Sequence, residues 1–329
     1  MAPEQTWNPQ RLNGLAHGYW SSFALHAAVE LGLTERLAQG PAPAPELARD
    51  LGVDPRALEM LLVALCGLEL VVEKEGSYAL EPSARQFFTP GSPRDMSGVI
   101  LHLADLVPDW AQLAQGVRQG KAVAGKWSQQ RRQRFYRAMR DLARQQAPGL
   151  AARLGLAPGQ HLLDLGGGPG VYGFTFADEV PGLEVTVFDL AQSRPSFEEE
   201  ARLHPQAHRV RRRDGDYNQD SLGGPYQVVW ISQVLHGEDP DTCRLILNKA
   251  AAALEPGGTL WVQEFLVEPG GHPFPALFSL NMLLLTRGGQ GYRAEELARF
   301  LAEAGLSDIE HLGPTQEGGP ASLMRARKP

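Results

Sequence analysis

The chain has 329 residues, and 38 acidic against 31 basic side chains leave a formal net charge of −7. That balance opposes a surface that neutralises phosphates over the whole molecule, and no window offers the ~18 uninterrupted apolar residues of a membrane span. Two cysteines, Cys66 and Cys243, are too few and too scattered for a disulfide framework or a metal site, and the length allows about two domains.

The N-terminus, MAPEQTWNPQRL, lacks the charged-then-apolar form of a signal peptide, so a reducing, cytoplasmic compartment is expected. Residues 17–39 carry apolar positions at helical spacing and stop at Gly40, before a Pro/Ala stretch. PELARDL, ended by Gly52, predicts the next helix. Asp54 as N-cap and Pro55 at the first helical position then open RALEMLLVALCGL. VVEKEGSYAL follows as two extended runs around a Gly-Ser turn. Helices followed by a hairpin predict a winged helix over 1–98. A winged helix that reads DNA needs basic side chains on the second helix of its pair, and here Arg56 stands alone among Leu, Ala, Met, Val and Glu. The expectation is a packing or dimerisation face and no nucleic-acid partner.

Residues 99–155 predict a helical connector that contributes to a pocket. In its Arg-rich run, 131–140, the arginines read as a solvated face, whereas Phe135, Tyr136 and Met139 can roof a ligand. From 156 to 329 strands alternate with helices: HLLDLG, VTVFDL, HRVRRRD, YQVVWIS and TLWVQEFLV are separated by stretches such as GVYGFTFADEV and DPDTCRLILNKAAAAL. This alternation predicts a parallel sheet covered on both faces, with the ligand at the strands' C-terminal ends. DIEHLGPTQEGGPASLMRARK supplies a closing hairpin. The predicted fold is α/β, a Rossmann-like doubly wound sheet behind a mostly helical winged-helix domain.

HLLDLGGGPGVYG places a glycine turn after a buried strand, and Gly168, Gly170 and Gly173 formally fit the dinucleotide pattern GxGxxG. Asp164 decides against that reading. A pyrophosphate wants helix N-terminal amides without a carboxylate beside them, whereas an Asp there suits a cationic group such as the amine of a methionine moiety. Asp189 closes the next strand, where it can accept from ribose hydroxyls. Asp216 with Tyr217, at the end of the third, can take an adenine amino group and ring face. Acids at three successive strand ends describe S-adenosylmethionine better than NAD.

DLGGGPG, VFDL, GDY, VLHGEDPDTC, NMLLLTRGG and AEELARFLAEAGL occur in this order, behind GYWSSFALHAAVELGL and ALEMLLVALCGLEL. Over nearly its whole length the chain therefore resembles the class I S-adenosylmethionine-dependent O-methyltransferases with an N-terminal winged-helix dimerisation domain, a group that includes plant caffeate and isoflavone enzymes and bacterial polyketide and hydroxyindole enzymes. The resemblance implies a homodimer and methyl transfer to a hydroxyl of a small aromatic or polyketide-like acceptor. It matches His236 to the catalytic base, Glu264 to the carboxylate that orients it, and Met282 to a methionine against the acceptor ring. Asn281 and Met139 join Met282 as candidate acceptor contacts. Gly166, Gly168, Gly170, Leu190 and Ser232 join Asp164, Asp189, Asp216 and Tyr217 as candidate cofactor contacts, and no metal is implied. Segments 15–25, 127–139 and 272–287 are expected to line the pocket. Three positions depart from the plant pattern: Gly237 replaces an acid, Ser232 replaces a lysine, and Gly291 replaces a second acid flanking the histidine. The alternatives are C- or N-methylation on the same fold, a non-catalytic cofactor-binding regulator, and, more remotely, a dehydrogenase.

Overall fold

The computed structural model describes residues 6–329; the first five residues of MAPEQTWNPQRL lie outside the described residues. The chain divides into two compact units, Met1–Asp105 and Leu106–Pro329. The division falls inside one helix, Ser97–Trp110 (α5 below), and most of the 99–155 connector is compact with the sheet that follows it.

In the first unit, α1 (Pro9–Glu30) begins at Asn8, whose side chain accepts from the Arg11 amide at 2.8 Å. The single helix expected over 17–39 is two, because Gly32 takes a left-handed φ of 75° and α2 (Leu33–Gln39) starts a new direction. α3 (Ala44–Leu51) ends at left-handed Gly52. α4 (Pro55–Gly67) is capped by Asp54, which accepts from the Ala57 amide at 2.8 Å, an arrangement worth about 1 kcal/mol. β1 (Val71–Lys74) and β2 (Ser77–Leu80) pair antiparallel through a turn at Glu75 and Gly76, both with positive φ, rather than at Gly-Ser. Leu33, Leu47, Leu62 and Leu65 make the fully buried centre of this unit. Met60 and Val63 of α4, with Leu15 and Trp20 of α1, remain exposed.

After α5 come α6 (Leu113–Gln119), α7 (Gln129–Gln146) and α8 (Leu150–Arg153). The arginines of α7 are not simply a solvated face. Arg131 pairs with buried Asp109, Arg140 reaches Glu199 at 3.1 Å, and Arg144 grips Glu200 at 2.5 Å. Then follow β3 (His161–Leu165), α9 (Val171–Glu179), β4 (Glu184–Asp189), α10 (Arg194–Ala201), β5 (Val210–Asp214), β6 (Tyr226–Ser232), α11 (Pro240–Ala253), β7 (Leu254–Glu264), α12 (Pro273–Leu285), α13 (Ala294–Glu303), β8 (Ser307–Pro314) and β9 (Ser322–Arg327). The seven-stranded sheet runs β5-β4-β3-β6-β7-β9-β8; β9 joins β7 antiparallel, and the preceding pairs are parallel.

The central parallel strands β3 and β6 are apolar on both faces, as a doubly covered sheet requires, whereas the edge strand β5 carries three arginines. Leu163, Leu165, Val229, Ile231 and Val262 pack with α11 and α13 on one side. Leu162, Val185, Val187 and Trp230 pack with Phe174 and Phe176 of α9 on the other. Each of those phenylalanines is fully buried and contributes roughly 1.5–3 kcal/mol. The strand order reverses at β3 and β6, so a crevice opens at their C-terminal ends.

Candidate active site

The loop after β3 approaches its surroundings more closely than a side chain allows. A Cβ on Gly166, where φ is 72°, would stand 2.6 Å from Val234; Gly168, with φ 54°, faces open space; Gly170 precedes α9. Asp164 is only 1 % exposed, and its Oδ2 has no hydrogen-bond partner. Burial pushes its carboxyl up to about 7; the Gly173 amide opposes this, and the nearby Asp189 charge adds to it. Asp189, at the end of β4, accepts from the Gly168 amide at 2.9 Å and the Ser193 hydroxyl at 2.7 Å. Leu190 follows it, partly exposed.

The third strand-end acid differs from the expectation. β5 stops at Asp214, which stands opposite Asp189 in register and is held by Arg194 and Arg212. Asp216 lies beyond it in a turn, where its carboxylate accepts from the Asn218 amide at 2.9 Å and the Gln219 side chain at 3.0 Å. The Tyr217 hydroxyl donates to Glu238 at 2.8 Å, and burial first, then Glu238, raises its pKa.

β6 and β7 are neighbours in parallel register, so their ends come together. Their termini split two jobs between two faces. On one face Gln263, fully buried, collects Ser232 Oγ at 2.7 Å and Thr315 Oγ1 at 3.1 Å, and the Tyr172 hydroxyl lies 3.0 Å from both Gln146 and Gln263. On the other, Glu264 Oε2 meets His236 Nδ1 at 2.7 Å, while its Oε1 accepts from the Leu235 amide at 2.8 Å. His236 sits on a short turn, Leu235–Gly237, and the acidic residues after it cap α11 through Asp239. The imidazole is edge-on to Phe278 at 4.8 Å and parallel to Phe265 at 6.4 Å.

Met282 is buried one helical turn beyond Phe278 on α12, on the same side of the helix. Asn281, a candidate acceptor contact, accepts on its Oδ1 from the Trp110 indole N–H at 2.9 Å. Met139 is half-buried on α7, apart from the His236 pair in sequence and element. The departures from the plant pattern have unequal room. A Cβ at Gly237 meets nothing within 4 Å, whereas one at Gly291 would lie 2.5 Å from Val267.

Phe265 and Gln233 were not reached from sequence, and Phe278 was reached only as part of the 272–287 segment expected to line the pocket. Gln233 has a φ of 57°, unusual for a residue with a side chain, and its amide nitrogen and oxygen are both buried without partners.

Fold and site together define a methyltransferase of the Rossmann-like class. A model of the O-methyltransferase domain matches residues 102–307, and one of the O-methyltransferase dimerisation domain matches residues 13–90. A 3-hydroxy-5-methyl-1-naphthoate 3-O-methyltransferase of Streptomyces sahachiroi is 31% identical over 93% of this chain and 92% of that protein. An acetylserotonin O-methyltransferase of Mus musculus molossinus is 32% identical over 96% of this chain and 88% of its own. The solved structure of PigF with SAH matches with a TM-score of 0.86 at 26% identity, covering 98% of this chain and 100% of that one. The chain belongs to the O-methyltransferase family and is an S-adenosylmethionine-dependent enzyme. Among the described residues no helix is long and apolar enough to cross a membrane.

Proposed function

We propose that the enzyme methylates a hydroxyl of a small aromatic or polyketide-like molecule, with His236 as general base. The observation that carries this reading is the 2.7 Å bond between His236 Nδ1 and Glu264, beside the ring of Phe278. When bound, S-adenosylmethionine supplies a methyl group already activated on a sulfonium. What the protein must add is alignment and a destination for the acceptor's proton. Alignment alone can contribute on the order of 7–11 kcal/mol. With Nδ1 committed to Glu264, Nε2 is the nitrogen left to take the hydroxyl proton, a step worth about 10²–10⁴-fold. Glu264 then stabilises the imidazolium without leaving its backbone donor at Leu235.

The cradle suits the cofactor. The unpartnered oxygen of Asp164 and the unpartnered amide of Gln233 offer an acceptor and a donor for the ammonium and carboxylate of its amino-acid end. Gly166, Gly168 and Gly170 keep the loop open beneath it, and Ser232 borders that end from β6. Asp189 and Leu190 take the ribose. Asp216 and the Tyr217 ring flank the adenine; since the Tyr217 hydroxyl is engaged by Glu238, the ring face is its available surface.

Met282 and Met139 pack against the acceptor, and Asn281 presents its amide nitrogen because its oxygen is engaged by Trp110. The naphthoate and acetylserotonin named for the two relatives support a flat, hydroxylated or indolic acceptor class. The exposed apolar residues of α1 and α4, within the matched dimerisation domain, support a homodimer. The unpaired Cys66 and Cys243 agree with a reducing, cytoplasmic setting.

The test is His236→Ala. Turnover with a hydroxylated aromatic acceptor is expected to fall by about a hundredfold or more, while calorimetry finds S-adenosylhomocysteine binding unchanged. A variant that keeps full turnover would remove the base role.

A further inference from the structure

The run of three arginines in β5 alternates across the sheet as a strand must. Arg211 points to solvent near Glu184, and Arg213 lies over the ring of Phe188. Arg212 turns to the opposite side from these two, and its side chain is only 4% exposed. A guanidinium withdrawn from water that far is costly unless its donors are satisfied in good geometry. Here Nε donates to Asp214 at 2.7 Å, Nη1 to the Gly168 carbonyl at 3.2 Å, and Nη2 to the Leu190 carbonyl at 2.7 Å and to Ser193 Oγ at 2.8 Å. The cation also stands 5.3 Å over the Phe197 ring.

Two of these partners lead to one carboxylate. Ser193 Oγ donates to Asp189 Oδ1 at 2.7 Å, and the Gly168 amide donates to Asp189 Oδ2 at 2.9 Å. Arg212, Ser193, Asp189 and Gly168 therefore close a ring of hydrogen bonds. A guanidinium can only donate and so occupies an acceptor site of Ser193; the one hydroxyl proton then has Asp189 Oδ1 at 2.7 Å and the Leu190 carbonyl at 3.0 Å in reach, and the shorter, charged acceptor is the stronger. Each oxygen of Asp189 is anchored once and keeps acceptor capacity for a further donor.

We propose that Arg212 is a positioning residue for the cofactor's ribose, acting through Ser193 and Gly168 to hold Asp189 in the orientation that receives two vicinal hydroxyls. This rests on the reading of Asp189 as the ribose acceptor. The carboxylate is set before the ligand arrives, so binding does not have to freeze it. Arg212 itself touches neither the ribose nor the reacting atoms.

The experiment is calorimetric titration of the full chain with S-adenosylhomocysteine and with its 2′,3′-dideoxy analogue, comparing Arg212→Gln, Ser193→Ala and Asp189→Ala with the parent. The parent is expected to prefer the hydroxylated ligand. Arg212→Gln should lose about tenfold or more in affinity for that ligand and little for the dideoxy analogue, so the preference collapses; Ser193→Ala should do the same to a smaller extent. If both variants keep the parent's preference, or lose affinity equally for both ligands, the proposal is overturned. If Arg212→Gln does not fold, Ser193→Ala decides the question by the same criterion. If Asp189→Ala itself keeps the preference, the assignment of the ribose to Asp189 fails, an outcome distinct from failure of Arg212 to position it.

Discussion

Glu264 and Asp164 are carboxyls buried to nearly the same degree, 3% and 1% exposed, at the ends of β7 and β3. Their surroundings are opposite. Glu264 receives the Leu235 amide and the His236 imidazole, so every demand of its burial is met within the protein. Asp164 keeps one oxygen without a donor, and burial pushes its pKa up to about 7. A buried acid left unsatisfied is expensive, and it persists where something outside the chain completes it. The first carboxyl belongs to a finished pair, and the second, in the function proposed above, is half of a contact that the cofactor's ammonium would complete.

The largest effect that can break this comparison is on turnover. His236→Ala removes the partner of the finished pair and should act on rate without acting on cofactor affinity, as measured by calorimetry and steady-state kinetics. Asp164→Asn should do the reverse, weakening S-adenosylhomocysteine binding by about tenfold or more.

Asp164 also carries a pH signature. Its native pKa lies above the ordinary 3.8, so between pH ~4 and 7 the folded, unliganded protein holds a proton that the unfolded chain has released. The stability from this group is fully present below the unfolded value and is lost as pH rises through about 7. An ammonium ligand requires the ionised carboxylate, so binding should tighten from pH 5 to 7 and release a proton at pH 6. Titrations in two buffers of different ionisation heat will measure that proton, and Asp164→Asn should abolish it. A parent protein that binds equally at both pH values would make Asp164 an ordinary core acid.

Smaller effects sharpen the Glu264 side. Gly291→Asp would force a Cβ into Val267 and should lower Tm by several degrees, a cost typical of overpacking by roughly 1–3 kcal/mol. Gly237→Asp, where the space is open, should change Tm little. The smallest expected change is at Asp216. Its carboxylate already serves its own turn, so Asp216→Asn should weaken cofactor binding less than Asp164→Asn in the same titration.

Much of this arrangement was legible in the sequence because it depends on local signals. The glycine loop, the apolar strand runs and the Asp54 cap each announce themselves within a few residues, and His236 and Glu264 were picked out by the family resemblance of the motifs around them. Register and side-chain reach were less visible. The strand-end acid is Asp214 rather than Asp216, since β5 stops where its pairing with β4 stops. The break at Gly32 was hidden by helical spacing that continues on either side of it. The bond to Asn281 was not visible because its partner Trp110 is distant in the chain. Arg212 was indistinguishable from its two neighbours until strand alternation turned it inward. Gln233 carries no sequence mark of its strained φ.

The end of β7 has one more consequence. Gln263 and Glu264 are consecutive, so the pleat sends one toward Tyr172 of α9 and Gln146 of α7, and the other toward the imidazole. The helix that carries Met139 thus shares a footing with His236. If α7 borders the acceptor as proposed, reshaping it for a bulkier one is not a local change: loosening Gln146 is expected to slacken the strand tip that carries Glu264, so a broader substrate range should cost rate unless that polar tie is kept.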